Sequence, residues 1–290
     1  MTGKTWSLAT PDDGFGMHSK PAEQDLTGPL RPRRRSGLKW YEFPSLAAHP
    51  ELRHGVFTRL GGVSGLGGGE LNLAFSEADP PENVVTNLSR AEAALALPPA
   101  AFARQTHGAE ILMVRPEDGY HPRVPFEARP GYDALLAPVP GVALLVKVAD
   151  CQAVLLYDPE SRALALVHSG WRGSVLNILG RTVAAMVETG ARAARLKAAI
   201  SPALGPCCAE FINHRTELPP GFRDFMVREN YFDFWALSRC QLAAAGLKEE
   251  NIETAGLCTR CSPEFYSYRG GDTWPRFGFL AGVRPEETGS

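Results

Sequence analysis

Three apolar runs follow one another closely between Gly141 and Val167, and this crowding restricts the fold more than any other feature of the chain. Residues 141–149 are apolar almost without interruption, which predicts a strand covered on both faces rather than one alternating between core and water. Residues 153–157 and 163–167 predict two further strands. Asp158-Pro159-Glu160-Ser161 between them carries turn chemistry, and strands joined so tightly pair as antiparallel neighbours. Residues 54–58, 196–200, 252–257 and 277–283 also read as strands. Residues 87–97, 174–188 and 234–247 read as helices. In the second of these, Val175, Leu179, Val183, Met186 and Val187 recur at helical spacing and Gly190 follows as a stop. The elements do not alternate as regular βαβ units and no internal repeat is visible, so the expected class is α+β with mixed sheets.

Such a core needs apolar material, and 44% of the 290 residues supply it. Residues 1–36 hold scattered Gly, Pro and charge and end in Arg31-Pro32-Arg33-Arg34-Arg35; they read as a flexible N-terminal tail, with one folded domain over 37–285. Residues 61–69 contain six glycines, without the Lys-Ser/Thr ending of a P-loop or a Gly-x-Gly-x-x-Gly frame. This stretch suits a linker or a binding loop equally. The formal net charge of −2 implies no general attraction to nucleic acid or membrane. No apolar run reaches the roughly 20 residues that span a bilayer, and no secretory pattern opens the chain. Six cysteines, two adjacent and two in a Cys-x-x-Cys, do not form a disulfide framework, so a reducing cytoplasm is expected.

Three residues capable of metal chemistry stand at predicted strand ends or in adjoining loops: His107 in Gln-Thr-His-Gly, Cys151 in Val-Ala-Asp-Cys, and His168 in Val-His-Ser-Gly-Trp-Arg-Gly. Strand ends hold side chains at the rim of a rigid scaffold. Imidazole and thiolate are good zinc ligands, and three of them leave the open position of a catalytic site. Each taken singly is more often a packed core residue, and separations of 44 and 17 residues match no short zinc signature. Cys207, Cys208, Cys258 and Cys261 offer four more thiols. Together they could make a structural zinc site, but adjacent cysteines are poorly placed to share one metal, so these read as buried or redox-inert thiols. Arg59, Arg172 and Arg269 lie in glycine-rich settings, and an arginine fork suits phosphate or carboxylate. Arg172 also opens a helix, where an anion is favoured.

Together these motifs resemble the YfiH-type family, variously named laccase-domain proteins, multicopper polyphenol oxidases, peptidoglycan editing factors and purine nucleoside phosphorylases. The matching stretches are Phe57-Thr58-Arg59-Leu60-Gly61-Gly62-Val63-Ser64, Leu71-Asn72-Leu73, Gln105-Thr106-His107-Gly108, Asp133-Ala134-Leu135, Ala149-Asp150-Cys151, Val167-His168-Ser169-Gly170-Trp171-Arg172-Gly173, Pro202-Ala203-Leu204-Gly205-Pro206-Cys207-Cys208, Gln241-Leu242 with Gly246, and Cys258-Thr259-Arg260-Cys261 leading to Ser267-Tyr268-Arg269. They run in the family's order over residues 40–283. The resemblance implies a single catalytic domain with an α/β/β/α sandwich-like core, similar to the catalytic domain of cytotoxic necrotizing factor. It implies zinc on His107, Cys151 and His168, with Arg59 lining the pocket; the catalytic residues expected are these four, and Arg59, Asn72, Arg172 and Arg269 are expected on substrate or phosphate. Where the family tends to show Arg-Arg-Asp-Gly and then Thr-Gly-Arg, this chain has Arg269-Gly270-Gly271-Asp272 and Thr273-Trp274-Pro275-Arg276, one cation fewer.

The activity so implied is zinc-dependent phosphorolysis of purine nucleosides, with adenosine deamination beside it, by a monomer acting on small molecules. Two alternatives use the same residues: a copper-dependent polyphenol oxidase, and a hydrolase editing cell-wall precursors through a Cys-His pair. Seven histidines, none in His-x-His, argue against several coppers, and copper in the zinc site would be adventitious.

Overall fold

The computed structural model describes residues 30–65, 68–118 and 131–285, so most of the expected tail, residues 1–29, lies outside the described residues. In chain order the sheet strands are β1 (Arg31–Arg35), β2 (Leu38–Glu42), β3 (Leu52–Phe57), β4 (Ala100–Ala101), β5 (Ile111–Met113), β6 (Ala134–Ala137), β7 (Ala143–Val148), β8 (Gln152–Tyr157), β9 (Leu164–Ser169), β10 (Lys197–Ile200), β11 (Ile252–Thr254) and β12 (Phe277–Val283). The helices that position the site are α1 (Pro81–Leu95), α2 (Trp171–Val175), α3 (Ile178–Glu188) and α4 (Phe234–Ala244).

These strands build two six-stranded sheets, ordered β1-β2-β3-β12-β7-β4 and β11-β10-β8-β9-β6-β5. Both are mixed: β4 with β7, β5 with β6, and β10 with β11 run parallel, and the other pairings are antiparallel. Strands β8 and β9 pair antiparallel over their whole length, from Gln152↔Ser169 to Tyr157↔Leu164.

The apolar run at 141–149 is explained by layering. Leu144, Val146 and Val148 of β7 face the second sheet, where Ala153, Leu155, Tyr157, Leu164 and Leu166 meet them. Ala143 and Leu145 point the other way, into a core shared with Val84, Leu88, Ala91 and Leu95 of α1. On the far side, Val154, Leu156, Ala165 and Val167 pack against Leu179, Val183 and Met186 of α3 and Leu242 of α4. The result is a helix–sheet–sheet–helix sandwich in which the central strands have no wet face.

Three expectations change. First, Arg31–Arg35 is not tail but an edge strand, joined to β2 by a Ser36-Gly37 turn with both φ angles positive (50° and 83°). All five of its residues are exposed, so no apolar alternation announces it, and charged edges of this kind resist further strand pairing. Second, the helix at 174–188 is two helices. Asn177 adopts left-handed backbone (φ 53°) between them, and its side chain accepts the Gly180 amide at 3.2 Å to cap α3. Third, the glycine-rich stretch is neither linker nor binding loop in its described part. A Cβ on Gly61 would stand 2.2 Å from the Gly37 carbonyl oxygen, and one on Gly62 2.1 Å from that of Glu70. These glycines permit backbone-to-backbone packing.

Candidate metal centre and cavity

His107 lies on the connection from β4 in the first sheet to β5 in the second; Cys151 lies on the connection from β7 to β8, another crossing between the same sheets. His168 belongs to β9, next to β8. Two sheet crossings and a neighbouring strand thus bring residues distant in sequence to one place. One nitrogen from each histidine and the Cys151 sulfur all lie within 4.8 Å of one another, and the two imidazoles meet edge to face with centroids 4.9 Å apart.

Asp133, just before β6, organises this group. Its carboxylate accepts the amides of Thr106 (3.2 Å), His107 (2.9 Å) and Gly108 (2.7 Å). That ring of donors holds His107 in left-handed backbone, φ 60°, which a non-glycine residue adopts only under constraint. Asp133 Oδ1 also lies 2.7 Å from His168 Nδ1, leaving the other ring nitrogen for the centre. A carboxylate behind a histidine fixes its tautomer and raises its basicity as a ligand. The electrostatics agree. Burial disfavours the imidazolium of His168, but the Cys151 thiolate and Asp133 outweigh it and raise the pKa. Burial likewise opposes ionisation of Cys151, yet His168 and His107 bring its thiol well below the ordinary range. Asp133 is lowered in the same way, its hydrogen bond from His168 and the backbone amides prevailing over burial.

Whether these residues fit a metal is answered by donor chemistry and space. Two imidazoles and a stabilised thiolate form a three-ligand set suited to zinc or copper. A Cβ on Gly170 would stand 3.0 Å from Cys151 Sγ and 3.1 Å from His107 Cδ2, so glycine keeps clear the ground beside the ligands. The residues fit.

All three ligands line a cavity of about 840 Å³. Arg104, Lys147, Arg172, Arg269 and Arg276 bring positive charge to its walls, and Phe75, Trp171, Phe211, Phe234 and Tyr268 bring aromatic surface. Arg172 stacks over Trp171 at 4.3 Å, and Arg269 lies over Phe211 while donating to the Glu210 carbonyl at 2.8 Å. The Lys147 ammonium is pushed down to about 7, first by burial and then by neighbouring Arg276.

Of the expected substrate residues, Arg172 and Arg269 therefore reach the cavity. Arg59 and Asn72 do not line it. Arg59 pairs with Glu70 at 2.5 Å and Asp272 at 3.6 Å and stacks on Tyr266, held behind the cavity by opposite charge. Asn72 is fully buried and spends its amide on Ala74 O, Asp79 and the Arg276 amide, so it positions cavity residues without touching their contents. Residues the sequence reading left without a role include Asp133, Lys147 and Arg276. Lys147 carried a signal: a charge inside a doubly covered strand must find a cavity or a partner. Arg269 and Arg276, the two cations that the C-terminal segment keeps, both line the cavity. The sulfurs of Cys207, Cys208, Cys258 and Cys261, two of them on exposed residues, also converge within 4.8 Å.

A family model described as multi-copper polyphenol oxidoreductase laccase matches residues 53–283. The purine nucleoside phosphorylase of Deinococcus radiodurans is 35% identical over 248 residues, covering 80% of this chain and 88% of that one. Purine nucleoside phosphorylase YlmD of Geobacillus stearothermophilus is 32% identical over 230 residues, covering 74% and 84%. The crystal structure of YlmD from that organism superposes with a TM-score of 0.78 at 29% identity, covering 89% of this chain and all of that one. That of the Bacillus licheniformis hypothetical protein YfiH gives 0.76 at 26%, covering 88% and 99%. With its fold, its motifs and four-fifths of its length in agreement, the chain belongs to the multi-copper polyphenol oxidoreductase laccase family.

Proposed function

We propose that this chain is a zinc-dependent purine nucleoside phosphorylase, acting as a cytoplasmic monomer on nucleoside and phosphate. The observation that carries the reading is that a three-ligand centre opens into a cavity combining cationic with aromatic walls. Phosphorolysis needs both surfaces: phosphate must be held against the ribose C1′ while the purine ring is gripped flat. Arg172 and Arg269 offer guanidinium groups for the anion, while Arg276, whose fork donates to the Thr273 and Pro275 carbonyls, adds positive charge beside them. Trp171, Phe211 and Tyr268 offer faces for the base. As the C1′–N9 bond breaks and the C1′–O bond to phosphate forms, the departing purine takes the bond pair and requires a proton. Lys147, with its pKa near 7, holds a proton at Nζ that it can release at neutral pH. A zinc ion, if held by His107, Cys151 and His168, would supply Lewis acidity at that end of the cavity.

Deamination of adenosine is the second reading. It calls for water to add at C6, the C6–N bond to break and the amino group to leave as ammonia after a carboxylate passes it the water's proton, and Glu210 and Glu217 line the same cavity. A multi-copper oxidase centre fits these residues poorly. Among the described residues, His54 is buried against the Phe43 amide, His49 meets Tyr157 edge to face and His214 packs on Phe232, none of them grouped with the centre. Copper bound there is adventitious.

The test is incubation of metal-assayed protein with adenosine, with and without phosphate. Adenine released only with phosphate is the expected result. Inosine without phosphate favours the second reading, and no turnover in either arm overturns both.

A further inference from the structure

Four cysteines that the cavity chemistry does not use come together from two loops far apart in sequence. Cys207 and Cys208 sit in a tight turn after β10, where the amides of Cys208 and Ala209 both donate to the Gly205 carbonyl at 2.9 Å. That turn carries neighbouring side chains to the same side. Cys258 and Cys261 sit in the turn after β11. A parallel bridge between Ala203 and Cys258, with the Thr259 amide donating to Ala203 O at 3.0 Å, locks the two loops together.

All four sulfurs lie within 4.8 Å of one another. Cys261 Sγ is 3.7 Å from that of Cys207 and 3.6 Å from that of Cys208. A disulfide would require about 2.05 Å, and all four are free thiols. Sulfurs at tetrahedral corners around zinc, each about 2.3 Å from it, stand about 3.8 Å apart. The two separations match that edge. The Gly205 amide also donates to Cys258 Sγ at 3.3 Å, the sort of contact that steadies a ligating thiolate. Four thiolates on one divalent ion leave a net negative charge. Arg228, which donates to the Cys207 carbonyl at 3.0 Å, stands beside it.

We infer that Cys207, Cys208, Cys258 and Cys261 form a second metal site, a closed four-thiolate centre that holds zinc structurally. Four protein ligands leave no open position, so the site clamps rather than reacts. One clamped loop reaches the cavity and the other contacts a residue that lines it. The first continues into Ala209, Glu210, Phe211 and Ile212 on its wall. From the second, Thr259 Oγ1 donates to Asp150 at 2.7 Å, next to Cys151.

The test is zinc content of the full chain purified without chelator. Wild type should carry two zinc ions per chain, Cys258→Ser/Cys261→Ser one, and His168→Ala one. If the cavity centre holds no zinc, wild type carries one and only the cysteine variant loses it, so the two assignments fail separately. Zinc content unchanged in the cysteine variant overturns the inference, as does a disulfide among the four found by non-reducing alkylation and mass spectrometry. Should the double variant not fold, cobalt is loaded into His168→Ala. Thiolate-to-cobalt charge-transfer absorption for four sulfurs is expected, and absorption for fewer overturns the site.

Discussion

His54 shows how one side chain sets a pH response. It is buried in β3 and accepts the Phe43 amide through Nε2 at 2.9 Å. Burial, the largest influence, pushes its pKa from 6.5 down to about 4. Between those values the unfolded chain binds a proton that the folded chain refuses, so stability rises with pH across that window and is flat for this group below it. The gap corresponds to about 3 kcal/mol. Denaturant unfolding from pH 7 to 4 should show that loss, and His54→Gln should flatten the slope; an unchanged slope in the variant rejects the assignment. Asp133 makes a separate prediction. Asn in its place keeps the shape but loses the charge that orients His168. Metal affinity at the cavity centre should fall about 10–100-fold, read by chelator competition. Equal affinity in both proteins would mean that the carboxylate does not position the ligand. Of this site, the sequence pointed to His107, Cys151 and His168 as candidates, their position at strand ends suggesting them singly and the family resemblance joining them as a set. It could not show Asp133. A lone acid before an apolar strand is common, and only the folded loop of Thr106, His107 and Gly108 reveals what it holds.

Elements were legible where burial left a regular pattern. Strands β7, β8 and β9 stand within two residues of expectation because both faces are covered and the apolar runs are continuous. Strand β1 was invisible because none of its residues is buried. The meeting of the four cysteines could be raised from sequence but not preferred, because it depends on how the loops after β10 and β11 bridge, which no local pattern encodes. The break between α2 and α3 was hidden because apolar spacing continues across it. Asn177 makes that break, and its worth can be measured. Alanine there both loses the cap and meets left-handed strain, costing about 2 kcal/mol. Glycine loses the cap acceptor but tolerates the backbone, costing only a few tenths. Thermal unfolding should therefore drop by roughly 4–8 °C in Asn177→Ala and little in Asn177→Gly. Equal drops would show that backbone conformation contributes nothing there.

At the scale of the whole molecule, the cavity centre sits where the chain crosses between its two sheets. His107 and Cys151 lie on separate crossings, and His168 belongs to the second sheet. A metal held by all three joins the sheets at one edge, where the closure otherwise depends on apolar contact between layers. The unfolded chain scatters these ligands, so the bound ion stabilises only the folded state. Zinc at a thousand times its dissociation constant contributes about 4 kcal/mol, which for a domain of this size is roughly 8–16 °C in Tm. Metal-stripped protein titrated with zinc should gain that much more than His168→Ala titrated in parallel. The thiolate cluster is common to both proteins, so their difference isolates the cavity centre. Identical gains would show that the three residues meet without binding metal, and the cavity would then need another explanation for two imidazoles turned toward a thiolate.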